Sequence, residues 1–164
     1  MELLTGAEAL QWLAARGVGM GPLKAVSGNA FLANSAFGDL PAAKTTPVAR
    51  GLAEWLCEFR PDRALVLITE TGVWPSSENL RLYELLRRAH GHAGWSADAE
   101  PGHLFHGNQR DDLMTLIEIA LISGWDITAA SEDGTRAFSF DHDGRFACRA
   151  ESQASADAGL KAVN

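Results

Sequence analysis

The chain has 164 residues, 46% of them hydrophobic, which suits one domain with its own core and speaks against wholesale disorder. A formal net charge of −7 argues against nucleic-acid binding, which needs a basic stripe to neutralise phosphates; the basic cluster Arg81, Arg87 and Arg88 shares its predicted helix with Glu78 and Glu84. No apolar run approaches the ~20 residues that cross a bilayer, Met1-Glu2-Leu3-Leu4-Thr5 lacks the basic and apolar regions of a secretory signal, and Cys57 and Cys148 read as reduced thiols, so a cytoplasmic location without membrane contact is expected.

Thr5-Gly6-Ala7-Glu8 is a capping box that opens a first helix. Leu10, Leu13 and Ala14 give it an inward stripe, and Arg16-Gly17 ends it. Residues 17–46 are punctuated by Gly17, Gly19, Gly21, Gly28 and Gly38 and by Pro22 and Pro41. They offer a short strand near residues 23–26 and otherwise read as a covering or binding loop. A second helix is expected over 47–59, with Thr46 as cap and Pro47 at the first helical position. Val48, Leu52, Trp55, Leu56 and Phe59 fall on one face of it.

Residues 63–69 are almost continuously apolar, the mark of a central strand covered on both faces. A loop over 70–77 leads to a third helix, 78–90, with a stripe of Leu82, Leu85, Leu86 and Ala89, Leu80 and Tyr83 beside it, and Gly91 at its end. Residues 102–106 suggest a second strand. A fourth helix over 111–123 carries Leu113, Leu116, Ile117, Ala120 and Leu121, opens on Asp111-Asp112 and stops at Gly124.

Residues 125–131, 135–141 and 145–149 read as a three-stranded meander with turns at Asp133-Gly134 and Asp143-Gly144. Because register follows burial, the first turn should pair Ala129 with Phe138 and Ile127 with Phe140. The second should be the three-residue His142-Asp143-Gly144, pairing Phe140 with Phe146 and Phe138 with Cys148. Residues 151–164 are small and polar and read as a weakly ordered tail behind a single domain, 1–150. The expected fold is α/β in the broad sense (α+β in detail): helices packed on a mixed sheet of four to five strands that ends in the antiparallel meander.

The unusual segment is Thr69-Glu70-Thr71-Gly72-Val73-Trp74-Pro75-Ser76-Ser77-Glu78-Asn79. It lies beyond a strand's carboxyl end and before a helix, where ligands of open α/β sheets tend to bind. Glu70 is the candidate acid or base, with His103 on an adjacent strand and Ser76 or Asn79 to orient a ligand. Ser76 or Ser77 as a cap and Glu78 at the positive helix end are the simpler explanation of the same residues. Trp74 and Trp95 fall in predicted loops and are candidates for a contact surface.

Four of five histidines lie between His90 and His106, but a metal needs three or four converging ligands, and residues three apart on a strand face opposite ways. No metal and no cofactor are therefore expected. Asp141-His142-Asp143-Gly144 reads as a hairpin turn, and no nucleophile elbow, reactive-cysteine signature or dinucleotide turn is present.

The segment from Trp74 to Asn79, with Pro101-Gly-His-Leu-Phe105 and Gly124-Trp125, resembles a family of uncharacterised bacterial proteins of similar size carrying a Trp-Pro-Ser-Ser-Glu-Asn-type sequence. The resemblance covers about residues 64–150 and implies a bacterial origin but no activity. Size, acidity, loop tryptophans and missing catalytic motifs together favour a small protein-interaction module with a basic protein partner, an immunity or accessory protein being one concrete form. The alternative is a small-molecule binder or enzyme at the strand-end crevice; pairing of two copies through a sheet edge is a third.

Overall fold

The apolar run at Leu65–Ile68 lies in the middle of a seven-stranded sheet. The computed structural model describes residues 1–19, 31–36, 42–58, 63–71, 77–92 and 99–164. In chain order these form β1 (Glu2–Leu4), α1 (Gly6–Ala14), β2 (Phe31–Ala36), α2 (Ala42–Leu56), β3 (Ala64–Glu70), α3 (Ser77–Ala89), β4 (Gly102–Phe105), α4 (Arg110–Ser123), β5 (Asp126–Ser131), β6 (Ala137–Phe140), β7 (Arg145–Ala150) and α5 (Gln153–Val163). The sheet order is β1-β4-β3-β5-β6-β7-β2, and every neighbouring pair is antiparallel. The expectation of a mixed sheet with four to five strands is thus corrected. The two additional strands lie at the edges: β1 has only three residues, and β2, Phe-Leu-Ala-Asn-Ser-Ala, owes its place to pairing along β7. The strand expected near residues 23–26 lies outside the described residues.

Alternation along the strands builds two unequal cores. Ala64, Val66 and Ile68 of β3, Phe105 of β4, Ile127 and Ala129 of β5, Phe138 and Phe140 of β6, and Phe146 and Cys148 of β7 face a layer that includes α2, α3, α4 and α5. Leu65, Leu67, Leu104, Ala130 and Ala137 face the other way, toward Ala9 and Leu13 of α1 and Val18. Both meander turns have the expected registers, Ala129 opposite Phe138 and Phe140 opposite Phe146. Asp141 and Arg145 close the second turn, with Gly144 at φ 73°.

The capping box at Thr5 and Glu8 forms as expected, and Gly124 ends α4 in the left-handed conformation. Three expectations change. α2 begins at Ala42 rather than Pro47, so Pro47 lies inside the helix, and Thr46 donates to Glu118 of α4 at 2.5 Å instead of capping. Phe59, assigned to the same stripe, lies outside the described residues. On α3 the buried side chains are Tyr83, Leu86 and Arg87, while Leu82 and Leu85 face out; contacts of Tyr83 with His103 and Trp125 turn the helix to that side. The C-terminal tail is a helix, α5, capped by Ser152. It buries Ala156 and Val163, and the Trp55 indole donates to Ser155 O at 2.8 Å.

Gly102 is where α1 and β1 close on β4. A Cβ there would lie 2.7 Å from Ala9 Cβ and 2.9 Å from Leu4 Cβ. Gly102→Ala should therefore lower the unfolding free energy by about 1–3 kcal/mol, the usual overpacking range. The check is a lowered denaturant midpoint with an unchanged slope; a wild-type midpoint would show that α1 moves aside freely.

Candidate functional site

β3 reaches its carboxyl end through a bulge. Ile68 pairs with Ile127, and the next pair is Glu70 with Asp126; the extra residue, Thr69, re-aims Glu70, as bulges do. Thr69 Oγ1 donates to Asp126 O at 3.1 Å. The turn between β6 and β7 then brings His142 over the start of β5. Its backbone amide and its ring Nδ1 both donate to Asp126 Oδ1, at 2.8 and 2.9 Å. The turn is held by Asp141, which accepts from the amides of Asp143 and Arg145 at 3.1 and 3.0 Å. Ligand atoms of Glu70, Asp126 and His142 all lie within 4.8 Å of one another. The bond to Asp126, with further help from the charges of Asp126, Asp143 and Glu70, holds the His142 imidazole above its ordinary pKa.

His103 is not part of this group. It pairs with Val66 on β3, four residues before Glu70, or about 13 Å along a strand. It is fully buried. Its Nδ1 donates to Pro101 O at 3.0 Å, which leaves Nε2 to accept from the Tyr83 hydroxyl at 2.8 Å. Arg87 donates to Tyr83 Oη at 3.2 Å and to Glu100 at 2.8 Å. Desolvation pushes the His103 pKa down to about 3, so the ring is neutral and committed at both nitrogens. The expected pairing of Glu70 with His103 in one crevice is corrected: the two belong to different environments, one exposed and one sealed.

Trp74, Ser76 and Trp95 lie outside the described residues. Glu78 and Asn79 fall in the first turn of α3, but their side chains are likewise outside the described set. Asp126 and His142 are the residues that sequence reasoning missed. A signal was present, because the predicted meander register already sets Asp126 opposite Asp141, next to His142.

Near the amino end of β3, a cavity of about 200 Å³ is lined by Cys57, Arg63, Glu132, Thr135, Arg136 and Glu151 among others. Its charged groups are occupied with one another. Glu132 pairs with Arg16 at 2.5 Å and Arg63 at 2.6 Å. Arg136 donates to Trp55 O at 2.7 Å and pairs with Glu151 and Glu58. Burial raises the Cys57 pKa, which makes that thiol a poor nucleophile.

On the outer side of α3, Leu82 and Leu85 are 47% and 49% exposed, and Ile122 on the neighbouring α4 is 46% exposed. The two helices run antiparallel: His90 beyond the end of α3 meets Asp112 at the start of α4, and Tyr83 meets Trp125 beyond its end. No helix among the described residues is long and apolar enough to cross a membrane. Comparison with protein-family models, curated proteins and solved structures finds no match for this chain.

Proposed function

We propose that the chain is a small protein-interaction module that docks a basic protein on the outer face of α3. The observation that carries this reading is the pair Leu82 and Leu85, three residues apart on one helix face and both about half exposed. Full burial of a leucine is worth about 1.5–3 kcal/mol, so a partner covering the exposed half of each gains a useful fraction of that twice over. Ile122 on α4 adds a third apolar side chain on the neighbouring helix.

The basic side chains beside the leucines do not repel such a partner strongly. Arg81 and Arg88 both pair with Glu84, at 3.0 and 2.5 Å, which offsets one of their two charges and leaves a single net positive charge beside the apolar strip. The −7 of the whole chain then acts at longer range and speeds encounter with a cationic surface. An immunity or accessory protein is the concrete form of this reading.

Replacing both leucines, Leu82→Lys with Leu85→Lys, should weaken the complex at least about 100-fold, since two desolvated apolar contacts become unpaired buried charges facing a basic surface. The change should appear in the dissociation rate, while raised salt should slow association of the wild-type protein. Affinity unchanged in the double variant sinks the α3 face as the docking surface.

A further inference from the structure

Independently of the α3 face, we propose that Glu70, Asp126 and His142 form a site for one divalent transition-metal ion of the zinc class. The three donors come from three segments, the end of β3, the start of β5 and the turn between β6 and β7, and their ligand atoms lie within 4.8 Å of one another. A tetrahedral ion with bonds of about 2.0 Å needs donors about 3.3 Å apart. Asp126 Oδ1 and His142 Nδ1, held at 2.9 Å by a hydrogen bond that the ion would displace, lie just inside that spacing, and Glu70, exposed at its strand end, has a ligand atom within 4.8 Å of both.

The chemistry of the set selects the ion. One imidazole with two carboxylates suits zinc and its neighbours in the transition series, whereas magnesium and calcium prefer oxygen donors alone. The register supports the same reading. Like charges directly opposite each other across a ladder are destabilising, yet the bulge at Thr69 places Glu70 opposite Asp126. A cation between them turns that repulsion into attraction. Asp126 is further held by the His142 amide on its carboxylate and by Thr69 Oγ1 on its carbonyl, the outer support that ligating carboxylates usually have. Binding replaces the Nδ1 proton of His142 by the metal, and solvent completes the coordination on the exposed side. Among the described residues no other group of three such donors converges.

The test is titration of the full chain with zinc chloride by calorimetry, and with cobalt(II) followed by its visible absorption. One ion per chain is expected, with Glu70→Gln and His142→Ala each weakening uptake at least about tenfold. His106→Ala, which removes an exposed imidazole outside the group, should leave uptake unchanged. Absence of saturable uptake, or equal affinity in the Glu70 and His142 variants, overturns the site. Nuclear magnetic resonance of the wild-type chain decides the matter even if a variant folds poorly. The His142 ring signals must move on adding zinc, and movement confined to His90, His92 or His106 refutes the assignment.

Discussion

Arg149→Met should lower the unfolding free energy by about 3 kcal/mol, while Arg145→Met, two turns of the pleat away on the same strand, should change it by less than about 0.5 kcal/mol. Arg149 is 5% exposed and its guanidinium donates to Gly17 O at 2.6 Å, Gly134 O at 2.9 Å and Arg16 O at 3.3 Å. It therefore ties β7 to the end of α1 and to the turn between β5 and β6. The carbonyl end of a helix favours a cation. With methionine in its place the aliphatic volume survives, and three inward-facing carbonyls lose a charged donor. The seam is tight as well: Gly134 sits at φ 68°, and a Cβ there would lie 2.6 Å from Arg16 O, so water has little room to substitute. Arg145 has a side chain that is 69% exposed and, among the described residues, pairs within its own turn, with Asp141 and Asp143. Denaturant midpoints of the two variants at equal slope check the contrast. Equal midpoints would mean that the guanidinium of Arg149 adds nothing beyond its packing.

The second large effect is acid sensitivity traced to one ring. His103 has a pKa of about 3 in the fold against an ordinary 6.5, because burial among β3, β4 and α3 disfavours its charge. The unfolded chain takes up a proton below 6.5 and the folded one does not, so stability must fall as the pH drops through that window. The contribution is fully present above the ordinary value, declines by about 1.4 kcal/mol per pH unit below it, and levels off near the folded value. At about pH 4.5 the loss is on the order of 3 kcal/mol. Glu8, Glu132 and Glu151, whose pKa values are lowered by Thr5, by Arg63 and Arg16, and by Arg136, also lose stabilisation in acid. His142, raised by Asp126, works in the opposite sense. These contributions are common to wild type and to His103→Gln, which can still bond Tyr83 and Pro101 but does not titrate. The variant should be less stable at neutral pH and should show a shallower decline on acidification. Parallel curves would remove His103 as the source.

Much of the fold was legible in local chemistry. The capping box at Thr5, the left-handed Gly124 and both meander registers follow from a few residues each, because a cap, a positive φ or a buried aromatic face admits few alternatives. α3 was harder. The stripes 82-85-86-89 and 83-86-87-90 share a period, and only the partners of Tyr83 across the chain, His103 and Trp125, decide which faces in. β1 and β2 carry no alternation strong enough to announce a strand, since they are edge elements held by β4 and β7. Pro47 points to a helix start because proline usually marks a first turn; here the extra turn before it is held through Thr46 and Glu118.

The candidate site was half legible. Glu70 could be singled out because it ends a buried strand. Asp126 and His142 could not be joined to it, because nothing local says that β5 lies beside β3. His103 drew attention as an intrastrand histidine, and its burial was visible only once Tyr83 and Arg87 were in place.

Native mass spectrometry of the protein recovered from its own host, run beside the Leu82→Lys, Leu85→Lys double variant, tests the interaction reading most directly. The expected result is a stoichiometric complex of the wild-type chain with one basic protein, absent from the double variant although the variant remains folded. A wild-type chain that appears only as a monomer or as a homodimer, or a complex that survives both substitutions, would contradict it.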